Sequence, residues 1–212
     1  MRKWMCAVAV AGLLAGAGCV SSSSDAQRKV SEQKRTYLLE ADVSAVTARE
    51  ARFGEAKLRS FRGLAPFGSA NVVVRRASGE TVLDFYNAWV AAPHELARVQ
   101  VARYLERAGL FRAVHDAASG TLAPLGIEGS VCELCLDCRG EVPTAVVTLR
   151  LVLLDERTTA FTVLGSAEGS GRVEYDAARE DGIPRAFNAA LTMALDALAR
   201  ELAELDVPDL AK

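Results

Sequence analysis

The segment at residues 144–155 constrains the fold most, because apolar side chains occupy both faces of a strand there. Valine or leucine fills every second position from Val147 to Leu153, and the opposite face is apolar at several positions as well. A strand of this kind lies inside a sheet, beneath a covering layer. Further strand patterns flank it at residues 125–138 and 159–168. We therefore predict a sheet with this segment at its centre.

Two amphipathic helices are predicted to pack on that sheet. The first begins at Pro93, carries apolar residues at three- and four-residue spacing, and ends before Gly109. The second follows Pro184 and has an apolar stripe of helical period from Phe187 to Leu205. The fold class that we predict is α/β of the α+β type, with a single mixed, largely antiparallel sheet and two main helices.

Shorter strands complete the prediction, including a hairpin around a glycine turn at residues 78–80. The predicted segments are residues 37–39, 57–64, 71–76, 81–86 and 110–114. A Gly/Ser-containing turn is expected after the strand at 159–168. No long linker or internal repeat interrupts the chain, so we predict one domain over residues 37–207.

The first residues have the pattern of an export signal. Arg2 and Lys3 precede an uncharged apolar run at residues 4–15, which is shorter than the roughly 20 residues that span a membrane. Small residues then lead to Cys19, in a pattern that resembles a bacterial lipobox. We predict a lipoprotein signal peptide at residues 1–18 and lipidation of Cys19; the alternative is an ordinary secretory signal that leaves Cys19 as a free thiol.

The next segment, residues 19–36, is predicted to be the lipidated cysteine and a polar tether. Val30 is its main large apolar residue after Val20, which is too few to form a core. Val20 stands where inner-membrane retention signals usually have Asp, which favours the periplasmic face of the outer membrane. The formal charge of the whole chain is −2, without a block of basic residues, so a nucleic-acid partner is not expected.

Three cysteines form the one cluster that suggests chemistry. Cys132, Cys135 and Cys138 give two overlapping C-x-x-C spacings, but three thiols are one fewer than a structural zinc site needs. Three interpretations stay open: one structural disulfide with a leftover thiol, three reduced residues, or a metal or redox site. On a straight strand, residues three apart lie too far from each other for a disulfide, so a bond requires a local turn.

Aromatic residues are concentrated at 83–90. Tyr86 and Trp89 are candidates for partner binding, since large exposed rings often mark interfaces, and Phe85 lies beside them. The alternative for these rings is core packing. Strand alternation places at least one of them near solvent.

No catalytic constellation is found. His94 is expected at the surface in the first turn of a helix, and His115 has no acid that the sequence assigns to it. Ser166 and Ser170 lie in no nucleophile elbow and no dinucleotide-binding motif. We therefore predict no catalytic residue, no metal, no cofactor and no enzymatic activity.

Several short motifs occur in an order that resembles the ABC-type transport auxiliary lipoprotein family, which includes the paraquat-inducible protein C lipoproteins. They are residues 37–39 (YLL), 72–75 (VVVR), 84–89 (DFYNAW) and 105–111 (LERAGLF). Where the family commonly has an acidic residue flanked by aromatics, this chain has Cys135, Asp137 and Cys138.

The resemblance implies a lipid-anchored periplasmic subunit, capable of forming a homo-oligomer. Its implied partners are a mammalian-cell-entry domain protein and an ABC transporter that together move lipids between membranes. Binding of protein, without bond chemistry, is the implied activity.

Two other functional classes are kept as alternatives. The first is an envelope assembly lipoprotein, such as a lipopolysaccharide-export plug or an activator of peptidoglycan synthesis. The second is an enzyme built on the cluster Cys132, Cys135 and Cys138.

Overall fold

The computed structural model describes residues 33–157 and 160–207. All of its strands and helices lie in one compact unit, Lys34–Lys212, which has its own buried core. The predicted signal peptide, Cys19 and most of the predicted tether lie outside the described residues. Arg35 and Thr36, assigned to the tether from the sequence, belong instead to the first strand.

Eight strands form one mixed sheet, and two helices accompany it, as predicted for the fold class. The strands are β1 (Arg35–Tyr37), β2 (Phe53–Gly63), β3 (Asn71–Arg75), β4 (Thr81–Trp89), β5 (Phe111–His115), β6 (Leu125–Asp137), β7 (Thr144–Asp155) and β8 (Thr162–Glu174). The helices are α1 (Pro93–Ala108) and α2 (Gly182–Glu204).

Strand β6 organises the sheet because it pairs along both of its edges. One edge carries β7, which runs antiparallel to β6 and continues to β8. The other edge carries two strands end to end, both parallel to β6: β2 beside its first half and β3 beside its second half. β5 extends the sheet from β2, and β4 and β1 extend it from β3.

Strand β7 lies between β6 and β8, in the interior position that its apolar faces predict. Alternate residues from Ala145 to Leu153 are buried, while Arg150 on the opposite face is exposed. The buried alternation faces α2, whose residues Phe187, Leu191 and Leu198 are fully buried. This helix stripe is the main contribution of the C-terminal half to the core.

Helix α2 packs directly on β8 because small residues line the strand face beneath it. A Cβ added at Gly169 would overlap the carbonyl oxygen of Ala194, and one added at Gly171 would overlap that of Ala190. The Gly/Ser turn expected after residue 168 is therefore wrong. The segment continues as strand to Glu174, and its glycines provide room for the helix backbone.

Helix α1 begins with Pro93 in its first turn and ends at Gly109, as the sequence predicts. Gly109 adopts the left-handed conformation with φ of 67°, and its amide donates to the carbonyl oxygens of Leu105 and Glu106. The two helices meet where the Tyr104 hydroxyl donates to the Asp196 carboxylate. In the described part of the chain, neither helix is long and apolar enough to cross a membrane.

Candidate functional site

The two predicted partner-binding residues lie in different surroundings on β4. Trp89 is only 3% exposed, and its ring packs edge-on against Phe187 with centroids 5.1 Å apart. A buried indole cannot meet a partner without partial unfolding. The assignment of Trp89 to a partner surface is therefore corrected to a core role, which is the alternative that the sequence left open.

Tyr86 lies on the surface together with Phe85 and Leu83. The exposed fractions are 43% for Tyr86, 72% for Phe85 and 50% for Leu83. The rings of Phe85 and Tyr86 meet edge to face with centroids 5.3 Å apart. We call Leu83, Phe85 and Tyr86 the β4 patch. It is an apolar surface on a strand whose far end enters the core.

An irregularity in β4 explains why two consecutive aromatic residues are both exposed. The register with β3 shifts between Asn71 and Val73, so the middle of β4 bulges. Asp84 holds the bulge: its Oδ1 accepts hydrogen bonds from the amides of Tyr86 (2.8 Å) and Asn87 (3.1 Å). Regular alternation would have placed the two rings on opposite faces.

The β4 patch is also at an edge of the sheet. β1 pairs with β4 only from Asn87 to Trp89, so among the described residues no strand covers that side of residues 81–86. The chain enters the folded unit at this point, because Arg35 at the start of β1 is the register partner of Asn87. The entry of the chain and the β4 patch are therefore neighbours.

The cysteine cluster lies on and just after β6, and all three thiols are free. β6 continues through Cys132 and Cys135, so the local turn that a disulfide between them needs is absent, and of the interpretations left open the structure has the reduced thiols. Burial raises the pKa of Cys135 to about 11 and also raises the pKa of Cys132 and Cys138. Thiols with raised pKa values are poor nucleophiles and poor metal ligands at neutral pH.

Neither His94 nor His115 forms a site with the three cysteines in the described residues. His115 is paired through Nε2 with the Glu55 carboxylate at 3.1 Å, an acid that the sequence did not assign to it. His94 lies in the first turn of α1, half-buried, with no hydrogen-bond partner for Nδ1. Across residues 33–157 and 160–207, no three His, Cys, Asp or Glu side chains come together as a metal site.

The two serines considered from the sequence lie on β8. Ser170 Oγ is 3.0 Å from Thr148 Oγ1 on the neighbouring strand, and Ser166 accepts a hydrogen bond from Arg150. Both contacts join neighbouring strands on the sheet face that carries the exposed Arg150. Neither serine is hydrogen-bonded to a histidine in the described residues.

A charged network closes the end of β6 near the β4 patch. Asp137 is 5% exposed, and Arg139 donates to both of its carboxylate oxygens at 2.8 and 2.7 Å. These hydrogen bonds lower the pKa of Asp137 well below its usual range. On the neighbouring strand, Arg75 pairs with Glu133 at 2.8 Å and lies over the Phe67 ring.

Comparison with known proteins gives structural likeness without sequence likeness. No family model matches the chain, and no curated protein matches its sequence. The protein XCC0632 of Xanthomonas campestris, from the DUF330 family, superposes with a TM-score of 0.57 at 16% identity. The superposition covers 77% of this chain and 88% of that one. A second, uncharacterised protein gives 0.58 at 11% identity, over 81% and 99% of the two chains.

This chain shares their fold. The PelC dodecamer of Paraburkholderia phytofirmans is also similar, with a TM-score of 0.41 at 15% identity over 73% of this chain and 95% of that one. Homo-oligomer formation by the present chain stays a prediction.

Proposed function

We propose that this protein is a periplasmic lipoprotein, anchored to the outer membrane through Cys19, that docks a partner protein through the β4 patch. In this proposal it is an auxiliary subunit of an ABC-type, mammalian-cell-entry lipid transport system. The observation that carries the proposal is the pair of exposed rings, Phe85 and Tyr86, at an uncovered edge of the sheet. The lipobox-like sequence before Cys19 and the order of the family-like motifs support the rest.

The β4 patch suits a protein interface for two physical reasons. Aromatic rings held against each other lose little conformational freedom on binding, and they bury a large apolar area. The Asp84 hydrogen bonds fix the bulge that presents both rings, so the surface is formed before a partner arrives. Pre-formed aromatic anchors are typical of the centres of interfaces.

We infer a binding role and no bond chemistry. The three thiols have raised pKa values, and the histidine with a carboxylate partner, His115, lies on β5, which β2 separates from β6. The described residues offer no assembled nucleophile and base. These observations support a protein that presents a surface.

The docking test compares two matched substitutions in the full-length protein, expressed with a C-terminal affinity tag in its native host. Phe85→Ser with Tyr86→Ser removes the rings of the β4 patch. Phe161→Ser removes a 65%-exposed ring beside the start of β8, at the opposite edge of the sheet. We expect a mammalian-cell-entry protein to co-purify with the wild type and with Phe161→Ser, and to be lost from the double variant.

Two results would contradict the docking proposal. One is equal recovery of the partner with the double variant. The other is the absence of any mammalian-cell-entry protein or ABC transporter from the wild-type complex. Neighbouring genes for an outer-membrane barrel or for cell-wall synthesis, in place of a permease and an ATPase, would favour the envelope-assembly alternative.

The anchor is tested separately by labelling cells with radioactive palmitate. We expect incorporation into the wild type and none into Cys19→Ala. Label that persists in the variant would place the lipid elsewhere, and no label in the wild type would remove the lipid anchor from the proposal.

A further inference from the structure

A groove on the helical layer is not used by the proposed docking function. It lies between the loop at residues 45–49 and the facing surfaces of α1 and α2, and its volume is about 470 Å³. That volume is within the range of small-ligand sites, roughly 300–1,000 Å³. Arg49, Tyr104 and Arg200 are among its lining residues.

The floor of the groove consists of small apolar side chains and one polar pair whose members are hydrogen-bonded to each other. Ala108 and Ala199 are buried beside Tyr104, which is 3% exposed. The Tyr104 hydroxyl donates to the Asp196 carboxylate, and burial together with this hydrogen bond raises the pKa of Tyr104 well above its usual range. The tyrosine therefore stays neutral. Among the described residues that line the groove, Asp196 is the one carboxylate, and this hydrogen bond occupies one of its oxygens.

The rim of the groove is basic. Arg49 and Arg200 both line it and are exposed, and within the described ranges neither guanidinium forms an ion pair with a carboxylate. Arg200 donates through Nε to the backbone oxygen of Asp196, which leaves its terminal nitrogens available. Arg49 and Arg200 line the same groove as Tyr104, and their charges partly offset the rise in the pKa of Tyr104.

The backbone that carries Arg49 is held in place. Its amide donates to the carbonyl oxygen of Ala108 at 2.7 Å. Its own carbonyl oxygen would be 2.8 Å from a Cβ at Gly109, so the glycine gives the loop room to approach the end of α1. The backbone at Arg49 is thereby held at the groove before a ligand binds, which lowers the entropic cost of binding.

We propose that this groove binds the phosphate headgroup of an amphiphile, with the phosphate between Arg49 and Arg200 and the first part of the aliphatic chain on Ala108 and Ala199. Arginine recognises phosphate by charge-assisted hydrogen bonds, which suits the two available guanidinium groups. The apolar floor distinguishes an alkyl phosphate from a free phosphate ion. The inference depends on the proposed function only for the identification of a membrane lipid as the natural source of such a ligand.

The test uses a purified chain that begins at residue 20, because the compact unit Lys34–Lys212 contains every described element and its core. Isothermal titration calorimetry at low ionic strength measures binding of dodecyl phosphate below its micelle concentration. Inorganic phosphate and the uncharged amphiphile dodecyl maltoside, also below its micelle concentration, are titrated separately. We expect one saturable site for dodecyl phosphate and affinities at least about tenfold weaker for the other two.

The variants locate the site. Arg49→Gln with Arg200→Gln removes both rim charges, and we expect the affinity for dodecyl phosphate to fall at least about tenfold. Arg150→Gln is the matched control: Arg150 is an exposed arginine on the sheet face away from the core, and we expect no change. Melting temperatures measured by circular dichroism show that each variant is folded.

Three results would overturn the inference: no saturable binding by the wild type, unchanged affinity in the folded double variant, or equal affinity for inorganic and dodecyl phosphate. The last result would mean a simple anion site without an apolar component. The assay contains neither an anchor nor a partner protein. Failure here therefore leaves the docking proposal intact, and failure of docking leaves this result intact.

Discussion

Trp89 and Phe85 lie four residues apart on β4, and they differ in almost every physical respect. Trp89 is 3% exposed and packs edge-on against Phe187 of α2, whereas Phe85 is 72% exposed and contacts the ring of Tyr86. The strand therefore changes from core to surface within one bulge. Residue type alone does not distinguish a structural aromatic residue from a binding one. Whether an element such as α2 packs over that part of the strand determines whether the ring is buried or exposed.

The largest effect is expected at the buried end of β4. Replacing Trp89 with Ala would leave a cavity against Phe187, and we expect a loss of about 3–5 kcal/mol in the free energy of unfolding. Urea denaturation followed by circular dichroism measures it, with Phe85→Ala as the exposed counterpart. A loss below about 1 kcal/mol for Trp89→Ala would contradict its place in the core.

The second-largest effect is expected where α2 packs closely on β8, which also lies in the core. A methyl group at Gly171 would overlap the backbone carbonyl of Ala190, which cannot rotate away, so Gly171→Ala should cost about 1–3 kcal/mol. Gly120→Ala is the control, because nothing lies within 4 Å of its Cβ position. Equal stability of the two variants would mean that helix and strand are farther apart than described.

A smaller, pH-dependent effect is expected at Asp137, where β6 ends near the β4 patch. Hydrogen bonds from Arg139 lower the pKa of this carboxyl in the folded state, so its stabilising contribution is fully present above the unfolded pKa of about 4. The contribution is lost progressively as the pH falls from that value through the lower pKa of the folded state. We expect Asp137→Asn to cost about 1–2 kcal/mol at pH 7.

The same unfolding measurement at pH 7 and at pH 3 checks the sign. The difference between the wild type and Asp137→Asn should shrink at the lower pH, because at pH 3 the Asp137 carboxyl of the unfolded chain takes up a proton while that of the folded chain stays ionised. A difference that grows under acid would show that the carboxylate is not stabilised by its arginine partners.

The smallest effect on stability is expected at the exposed end of β4. Phe85→Ser with Tyr86→Ser removes surface rings without opening a cavity, so the free energy of unfolding should change by no more than about 0.5 kcal/mol per site. Urea denaturation of the double variant measures this change in the free energy of unfolding, with Phe161→Ser as the matched control. A loss of several kcal/mol would mean that the β4 patch is part of the core, and the docking experiment would then report misfolding.

Local signals were enough to predict much of this fold. Pro93 and Gly109 bound α1 where the sequence places it, and the hairpin of β3 and β4 forms around residues 78–80. The apolar residues on both faces of β7 predicted an interior strand, because successive side chains of a strand point to opposite faces and the pattern can be read from the sequence. The apolar stripe that follows Pro184 likewise predicted α2.

Features that depend on partners distant in sequence could not be predicted. Gly169 and Gly171 indicate a turn when taken alone, and only the approach of α2 shows why a strand needs glycine there. The bulge at Asp84 likewise reverses the alternation that would separate Phe85 from Tyr86. The groove brings Arg49 to Arg200 across 151 positions of sequence, a distance that no motif spans.

The position of β6 has a consequence for how the polypeptide acquires its shape. β6 is the strand that joins the pair β2–β5 to the hairpin β3–β4, so a chain that emerges from its N-terminus first holds these two parts without their link until more than half of its length has appeared. Assembly of this molecule is therefore late and concerted, and truncation anywhere before residue 137 should leave no stable remnant.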